Sequence, residues 1–349
     1  MADVPMYGVI VGTVLHIPLN IFFIYFLGLG FQGAAVATTI FQIIQPTVSL
    51  FYIYMTISGR DRVYIHTGAD TLINPIPFLF ELKRAIFSVK GICQYLSLAI
   101  PGLVLISEWW ASELALILSG RLSNAAVSLA AFAIFQSVIT VCFKFAAGVS
   151  IACAARVSIL LGAMDAKGAR FASKVSISYV IFVEFSIACV LFFTPHKVLP
   201  SFFTPDVEVI EAAAKTLPYL ALYNFCDGLQ YTLNGVIRGV GKQCIVMPIA
   251  IFSYWIVGLP LAYFVTFGFG NSENEMVDTH QGPFDGILGL VFGMTVGTCI
   301  HFLLMAIVVG FGINWDVEVI RARERITYEQ NEKMNSETNE KEKLITISL

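Results

Sequence analysis

Eight long apolar segments constrain the fold of this 349-residue chain more than any other feature. Each is about 20 residues or longer, which is the length that a helix needs to cross the hydrocarbon core of a bilayer. They cover residues 6–27, 34–56, 97–119, 126–148, 174–194, 214–237, 244–267 and 286–312. Continuous apolar runs of this length differ from the short alternating segments of a membrane β-barrel. The chain is also 57% hydrophobic and only 13% charged, so we predict an all-α polytopic membrane protein with about eight transmembrane helices.

Basic residues are concentrated on one side of this predicted topology. Of the 21 Lys and Arg residues, 17 fall in the connections 57–96, 156–174 and 238–242 and in the segment after residue 315. Three fall on the opposite side, and Lys144 lies near the basic end of its own span. Because cytoplasmic loops carry the excess of Lys and Arg, we expect the C-terminal tail to be cytoplasmic. With eight spans, the N-terminus is expected on the same side.

Four acidic residues lie inside the predicted spans: Glu108, Glu113, Glu184 and Asp227. An acid at the bilayer centre costs about 2.5–3.5 kcal/mol, so such residues are functional candidates by default. The sequence places no Lys, Arg or His at a comparable depth, and unpaired carboxyls can bind protons or a cationic substrate. About 140° of helical turn separates Glu108 from Glu113, so we expect at most one of them to point straight into a common cavity, unless the helix bends. For Glu184, an interhelical hydrogen bond that serves packing alone remains an alternative.

The other reactive residue types form no catalytic or metal-binding pattern. The seven cysteines are scattered without a CxxC pair, and His16 and His301 are isolated, so we interpret them as packing or interfacial residues. Trp109 and Trp110 fit a cavity wall and a helix interface equally well. We therefore predict that the protein is not an enzyme and has no catalytic residue, metal site, cofactor or nucleic-acid partner.

Several motifs recur in a fixed order along the chain. They are Gly30–Ala37 (GFQGAAVA), Glu108–Glu113 (EWWASE), Gly148–Val157 (GVSIACAARV), Asp227–Gln230 (DGLQ), Gly235–Gln243 (GVIRGVGKQ) and Tyr254–Leu261 (YWIVGLPL). In order and spacing over residues 5–315, these motifs resemble the eukaryotic multidrug and toxic compound extrusion (MATE) transporters. That family has twelve helices in two six-helix lobes, and the first span here corresponds to its helix five, which implies that the first four helices are lacking.

The resemblance implies a domain organisation. Residues 1–56 would be the last two helices of the N-terminal lobe, 57–96 a cytoplasmic linker between lobes, and 97–315 the complete C-terminal six-helix lobe. The polar, charged segment 316–349 is expected to be a disordered cytoplasmic tail.

The resemblance also implies a function and residue roles. The protein would be a secondary active antiporter in the plasma or vacuolar membrane, exporting organic, cationic xenobiotics or metabolites in exchange for protons. Glu108 and Asp227 fall on the acids that the family uses for proton coupling and substrate binding, and Glu113 is the second acid of the same motif. Further candidate cavity-lining residues are Trp109, Trp110, Gln136, Tyr254 and Trp255.

Alternatives remain open at this point. Unpaired acids alone do not distinguish Na⁺ from H⁺ as the coupling ion. A non-transporting fragment or partner subunit of a MATE-like transporter is the main alternative to an antiporter. A flippase for lipid-linked sugars is less well supported, because the EWWASE and GVIRGVGKQ motifs are not typical of that class.

Overall fold

The computed structural model describes residues 3–58, 89–268, 286–325 and 327, and within these ranges the chain is helical with no β-strand. This confirms the predicted all-α class. The helices are α1 (Asp3–Ile21), α2 (Gly30–Ser58), α3 (Val89–Ser119), α4 (Ala125–Gly162), α5 (Ala166–Phe193), α6 (Val198–Ser201), α7 (Val207–Val240), α8 (Val246–Ala250), α9 (Leu259–Phe267), α10 (Ile287–Phe311) and α11 (315–325). Two π-helical segments, Phe22–Phe26 after α1 and Ile251–Gly258 between α8 and α9, interrupt the regular hydrogen bonding.

Each predicted span overlaps one long helical segment, with α8, the second π-helical segment and α9 forming the seventh. Within the described residues, seven helical segments are long and apolar enough to cross a membrane. The remaining helical segment is α7, which corresponds to the predicted span 214–237. It is missing from that set because its sequence is less apolar: Asn224, Asp227, Gln230 and Asn234 are all buried on it. A polar span of this kind is expected where a helix faces other protein segments or a cavity instead of lipid.

The chain divides into two compact units, Met1–Gln94 and Tyr95–Leu349. In the first unit, α1 and α2 form an antiparallel pair. Tyr7 stacks on Tyr52 with ring centroids 5.2 Å apart, and His16 contacts Phe41 at 5.0 Å. Residues 59–88, which carry most of the predicted linker, lie outside the described residues.

In the second unit, α7 is the central helix and packs against α4, α5 and α10. Its ends are well defined: the Asp206 side chain caps the first turn by accepting from the Glu208 amide at 2.9 Å, and Gly241 ends the helix in the left-handed conformation with φ 79°. The pair Gly235 and Gly239 lies directly against α4. This small-xxx-small spacing lets two helix backbones approach closely, which fixes α7 beside α4.

Replacing Gly235 by Leu is expected to destabilise the second unit. A Cβ at position 235 would lie 2.5 Å from the Ser150 carbonyl oxygen, so α7 would have to move away from α4. Overpacking of this kind costs about 1–3 kcal/mol, and the thermal midpoint in detergent should fall by several degrees. Gly310→Leu is the matched control, because Gly310 on α10 is exposed and a Cβ added there would meet no atom within 4 Å. An unchanged midpoint for Gly235→Leu would contradict the close contact.

The C-terminal segment differs from its predicted disorder over residues 316–325. These residues belong to α11, which packs through Val319 on a core cluster with α4, α7 and α10. Glu318 is 3% exposed, and its carboxylate accepts from Lys242 at 2.6 Å and Arg321 at 2.9 Å. Composition predicted disorder because α11 is rich in charge, but Glu318 pairs with Arg321 on the same helix and with Lys242 just after α7. The tail after residue 327 lies outside the described residues.

Replacing Glu318 by Ala is expected to loosen α11. The substitution removes the buried acceptor of both cations, and because Lys242 and Arg321 are themselves partly exposed, the loss is modest, about 1–2 kcal/mol. Hydrogen exchange of the α11 amides should accelerate about tenfold.

The matched control is Glu211→Ala in the exposed ion pair with Lys197. The hydrogen bond and charge of Lys197 lower the pKa of the Glu211 carboxyl, but exposed pairs contribute little to stability. Unchanged exchange in Glu318→Ala, or an equal change in the control, would contradict an anchoring role for Glu318.

Candidate functional site

Glu108 on α3 and Asp227 on α7 are brought together by a single side-chain amide. Both carboxyls are buried, at 8% and 5% exposure. The Gln230 Nε2 group donates to Glu108 Oε2 at 3.1 Å and to Asp227 Oδ1 at 3.0 Å. Asp227 and Gln230 are three residues apart, so they share one face of α7. The two acids are far apart in sequence, yet they form one polar cluster.

The orientation of the Gln230 amide is set by the next turn of α7. Asn234 Nδ2 donates to Gln230 Oε1 at 3.1 Å, so the Gln230 NH₂ group is directed at the two carboxyls. An NH₂ group can donate to a carboxylate oxygen or to either oxygen of a protonated acid, which keeps acceptor capacity. The linkage therefore tolerates either protonation state. Gln230 belongs to the DGLQ motif noted in the sequence, but neither Gln230 nor Asn234 was predicted as a site residue.

A cavity of about 450 Å³ opens beside this cluster. Its wall is formed by Glu108, Trp109, Ser112, Glu113, Ala133, Gln136, Ser137, Ile139, Thr140, Phe143, Tyr223 and Asp227. Among the described residues, this wall contains three carboxyl groups and three aromatic rings but neither Lys nor Arg. Acidic groups with aromatic faces attract organic cations, through charge and through cation–π contacts.

Glu113 lies on the exposed part of the wall, so it shares the cavity with Glu108. This corrects the expectation that only one of them would reach a common cavity. The wall includes Glu108, Trp109, Ser112 and Glu113, which together span an arc of about 140° around α3. The cavity is wide enough to wrap around this arc, so the angular separation does not exclude either acid.

The five predicted cavity-lining residues divide into two groups. Trp109 and Gln136 lie in the wall, and Gln136 Nε2 donates to Ser112 Oγ at 2.9 Å. The other three do not belong to the wall of this cavity. Trp110 is half exposed, Tyr254 is fully buried against another ring, and Trp255 Nε1 donates to Ser107 Oγ at 3.2 Å. Tyr254 and Trp255 both belong to the π-helical segment Ile251–Gly258.

The interpretation of His301 as an isolated residue is wrong. It lies on α10 with 0% exposure, and its Nδ1 atom is 3.9 Å from Glu108 Oε2. The expectation that no basic residue lies at the depth of the acids is therefore wrong too. Residue 301 lies near the middle of the predicted span 286–312, and that depth was the available signal. The sequence could not show that α10 and α3 meet at this level.

Glu184 forms a separate polar contact. It is 1% exposed on α5, and its Oε2 atom accepts from Asn224 Nδ2 on α7 at 2.6 Å. It does not line the cavity. This contact is an interhelical hydrogen bond of the kind that can serve packing alone, and the role of Glu184 stays open.

Comparisons with known proteins agree on one family. The MatE family model matches residues 102–264. Protein DETOXIFICATION 14 of Arabidopsis thaliana is 28% identical over 327 residues, which are 93% of this chain and 60% of that protein. An uncharacterized transporter of Schizosaccharomyces pombe is 32% identical over 258 residues, covering 72% of this chain and 44% of that protein. The crystal structure of the eukaryotic MATE transporter AtDTX14 superimposes with a TM-score of 0.71 at 26% identity, covering 91% of this chain and 63% of that one.

The chain belongs to the MATE family. With its apolar helices, this makes it an integral membrane protein of the eukaryotic MATE type. The chain spans 44% and 60% of the lengths of the fission yeast and Arabidopsis relatives. Glu108, Asp227 and Gln230 lie inside the region matched by the family model, whereas His301 lies beyond it.

Proposed function

We propose that this MATE protein acts in secondary active antiport, in which an organic cation is exported in exchange for protons. The observation that carries the proposal is the amide of Gln230 that joins two buried carboxyls, Glu108 and Asp227, at the wall of a cavity. These acids and Glu113 are the proposed proton-coupling and substrate-binding residues. The names of the relatives, a transporter and a DETOXIFICATION protein, support export of a foreign or metabolic compound.

The composition of the cavity wall supports a cationic substrate. A positive charge in the cavity meets carboxyl groups from α3 and α7 and the rings of Trp109, Phe143 and Tyr223. A negative substrate would be repelled by these carboxylates, and the described wall itself offers no Lys or Arg. A buried carboxylate without a positive partner has a high free energy, so each acid favours binding either a proton or a cation.

Because a proton and the cation exclude each other at these carboxyls, their binding equilibria are coupled. A proton on Glu108 or Asp227 removes the charge that holds the cation, and a bound cation disfavours the proton by the same free energy. A proton gradient directed into the cell then drives export of the cation. Typical couplings of this kind are about 1–3 kcal/mol, enough to change affinity by about 5- to 150-fold.

The test is cation uptake into proteoliposomes that contain the full chain. Benzyltrimethylammonium is a suitable probe because its aromatic ring and permanent charge match the wall, and because it has no proton of its own to lose. We expect vesicles that are acidic inside to accumulate the probe, and vesicles without a gradient to show exchange only. A sodium gradient of equal size, imposed at uniform pH, should not drive uptake.

Two results would oppose the proposal. Uptake driven by sodium alone would assign the coupling to Na⁺. Binding of the probe without any transport would favour a non-transporting partner or fragment of a transporter.

A further inference from the structure

His301 has an environment that packing alone does not explain. The side chain is fully buried, and neither Nδ1 nor Nε2 has a hydrogen-bond partner among the described residues. Buried polar atoms are nearly always paired, because burial without a partner forfeits the hydrogen bonds that water would supply. Both ring nitrogens of His301 are therefore available to a partner that lies nearby.

The carboxyl that faces His301 belongs to Glu108. His301 Nδ1 lies 3.9 Å from Glu108 Oε2, the same oxygen atom that accepts from Gln230. An approach of about 1 Å would turn this contact into a hydrogen bond.

Few other titratable groups surround His301. Tyr254, from the π-helical segment, presents its ring edge-on with a centroid distance of 5.4 Å. From α7, Asp227 connects to Glu108 through Gln230. The helices α8 and α9 carry no acidic or basic residue, and Lys144 on α4 is exposed. Within the described residues, Glu108 is thus the one carboxyl within ion-pair distance of His301.

We propose that His301 is the proton-accepting partner of Glu108, which extends the antiport mechanism proposed above and rests on it. In the step, the O–H bond of protonated Glu108 breaks at Oε2, and the proton forms an N–H bond at His301 Nδ1. The electron pair of the broken bond stays on the carboxylate, and the imidazole becomes an imidazolium. Glu108 then presents a negative charge to the cavity, and the imidazolium gives its proton up to water as the cation binds. Return of a proton to Glu108 releases the cation.

This assignment predicts how the charged state of Glu108 depends on His301. An imidazolium within about 4–6 Å favours the carboxylate form of its neighbour by about 1–3 pH units. Replacing His301 by Gln keeps a polar side chain of similar reach but removes the proton acceptor. Glu108 then holds its proton to higher pH, so the pH midpoint for probe binding should rise by about one unit or more.

The experiment measures two quantities in His301→Gln and in a second variant, His301→Asn. Infrared difference spectroscopy follows the carboxylic C=O band that disappears in Glu108→Gln, and equilibrium binding follows benzyltrimethylammonium across the same pH range. His196→Gln is the matched control, because His196 is exposed and takes no part in the cavity wall. We expect both midpoints to rise in the two His301 variants and to stay unchanged in the control.

Two outcomes would overturn the proposal. The first is an infrared midpoint for Glu108 that is the same in wild type and in both His301 variants. The second is a shift of the binding midpoint by His301→Gln that persists in the Glu108→Gln background, since a true partner has no effect once Glu108 cannot ionise. If the probe does not bind or is not transported, the proposed function fails, while the infrared titration still decides whether His301 and Glu108 share a proton.

Discussion

Replacing Asp227 by Asn is expected to abolish proton-driven uptake of benzyltrimethylammonium. Asn has the size of Asp but cannot exchange a proton or carry the negative charge that holds the cation. The second carboxyl of the pair remains, but without Asp227 the cluster loses one of the two groups that Gln230 joins. We expect the coupling between proton and cation binding, typically a change in affinity of about 5- to 150-fold, to be lost at this residue, so that gradient-driven uptake falls to the level of protein-free vesicles.

The control for Asp227→Asn is Glu211→Gln on the same helix. It neutralises a carboxyl by the same chemistry at an exposed site paired with Lys197, so transport should stay at the wild-type rate. Monodisperse elution of both variants in detergent shows that the fold is kept. Wild-type uptake by Asp227→Asn would refute a coupling role for this residue.

Replacing Gln230 by Leu is expected to give the next largest loss. Leu removes the NH₂ group that donates to both carboxyls, so two buried acids lose their shared donor. Removing one partner of a buried hydrogen bond to a charged group costs about 1.5–3 kcal/mol. The carboxylate forms lose this stabilisation, so the protonated forms become favoured and the cation binds more weakly at neutral pH. We expect the probe affinity to fall by about tenfold or more, with partial recovery at high pH.

Thr232→Val is the matched control for Gln230→Leu. Thr232 is also buried on α7, but its hydroxyl donates to the Gly228 carbonyl in its own helix and takes no part in the cluster. The control should bind the probe with wild-type affinity at every pH. Equal affinity in wild type and Gln230→Leu would show that the amide does not support the carboxylates.

The fold was predictable from the sequence because lipid imposes a simple rule. Any spanning segment must satisfy its own backbone hydrogen bonds, so apolar length alone located the eight helical segments to within a few residues at most ends. The larger differences are at the starts of α3, α5 and α7, which begin seven or eight residues before the predicted spans, at α4, which continues to Gly162 instead of residue 148, and at α11, where charged residues form a packed helix. Hydropathy detects neither a helix that extends beyond the hydrocarbon nor charges that pair with one another.

The candidate site was only partly predictable. Glu108 and Asp227 stood out because acids are rare in membrane spans, and the structure places both at one cluster. Gln230 and His301 were missed because an amide or a lone histidine in a span is usually a packing residue. Their significance depends on which helices are neighbours, and a single sequence does not state that α3, α7 and α10 meet at one depth. Tyr254 and Trp255 were expected at the cavity, but Tyr254 packs against His301 and Trp255 donates to Ser107.

The most direct test of competition between protons and substrate is the number of protons released when a permanent cation binds. Benzyltrimethylammonium is added to the detergent-solubilised protein in weakly buffered solution, and the pH change and the affinity are measured across a series of pH values. If protons and the cation compete for Glu108 and Asp227, binding releases protons, and the affinity rises with pH by up to about tenfold per unit for each proton displaced. Binding with no proton release and the same affinity at every pH would contradict the central claim.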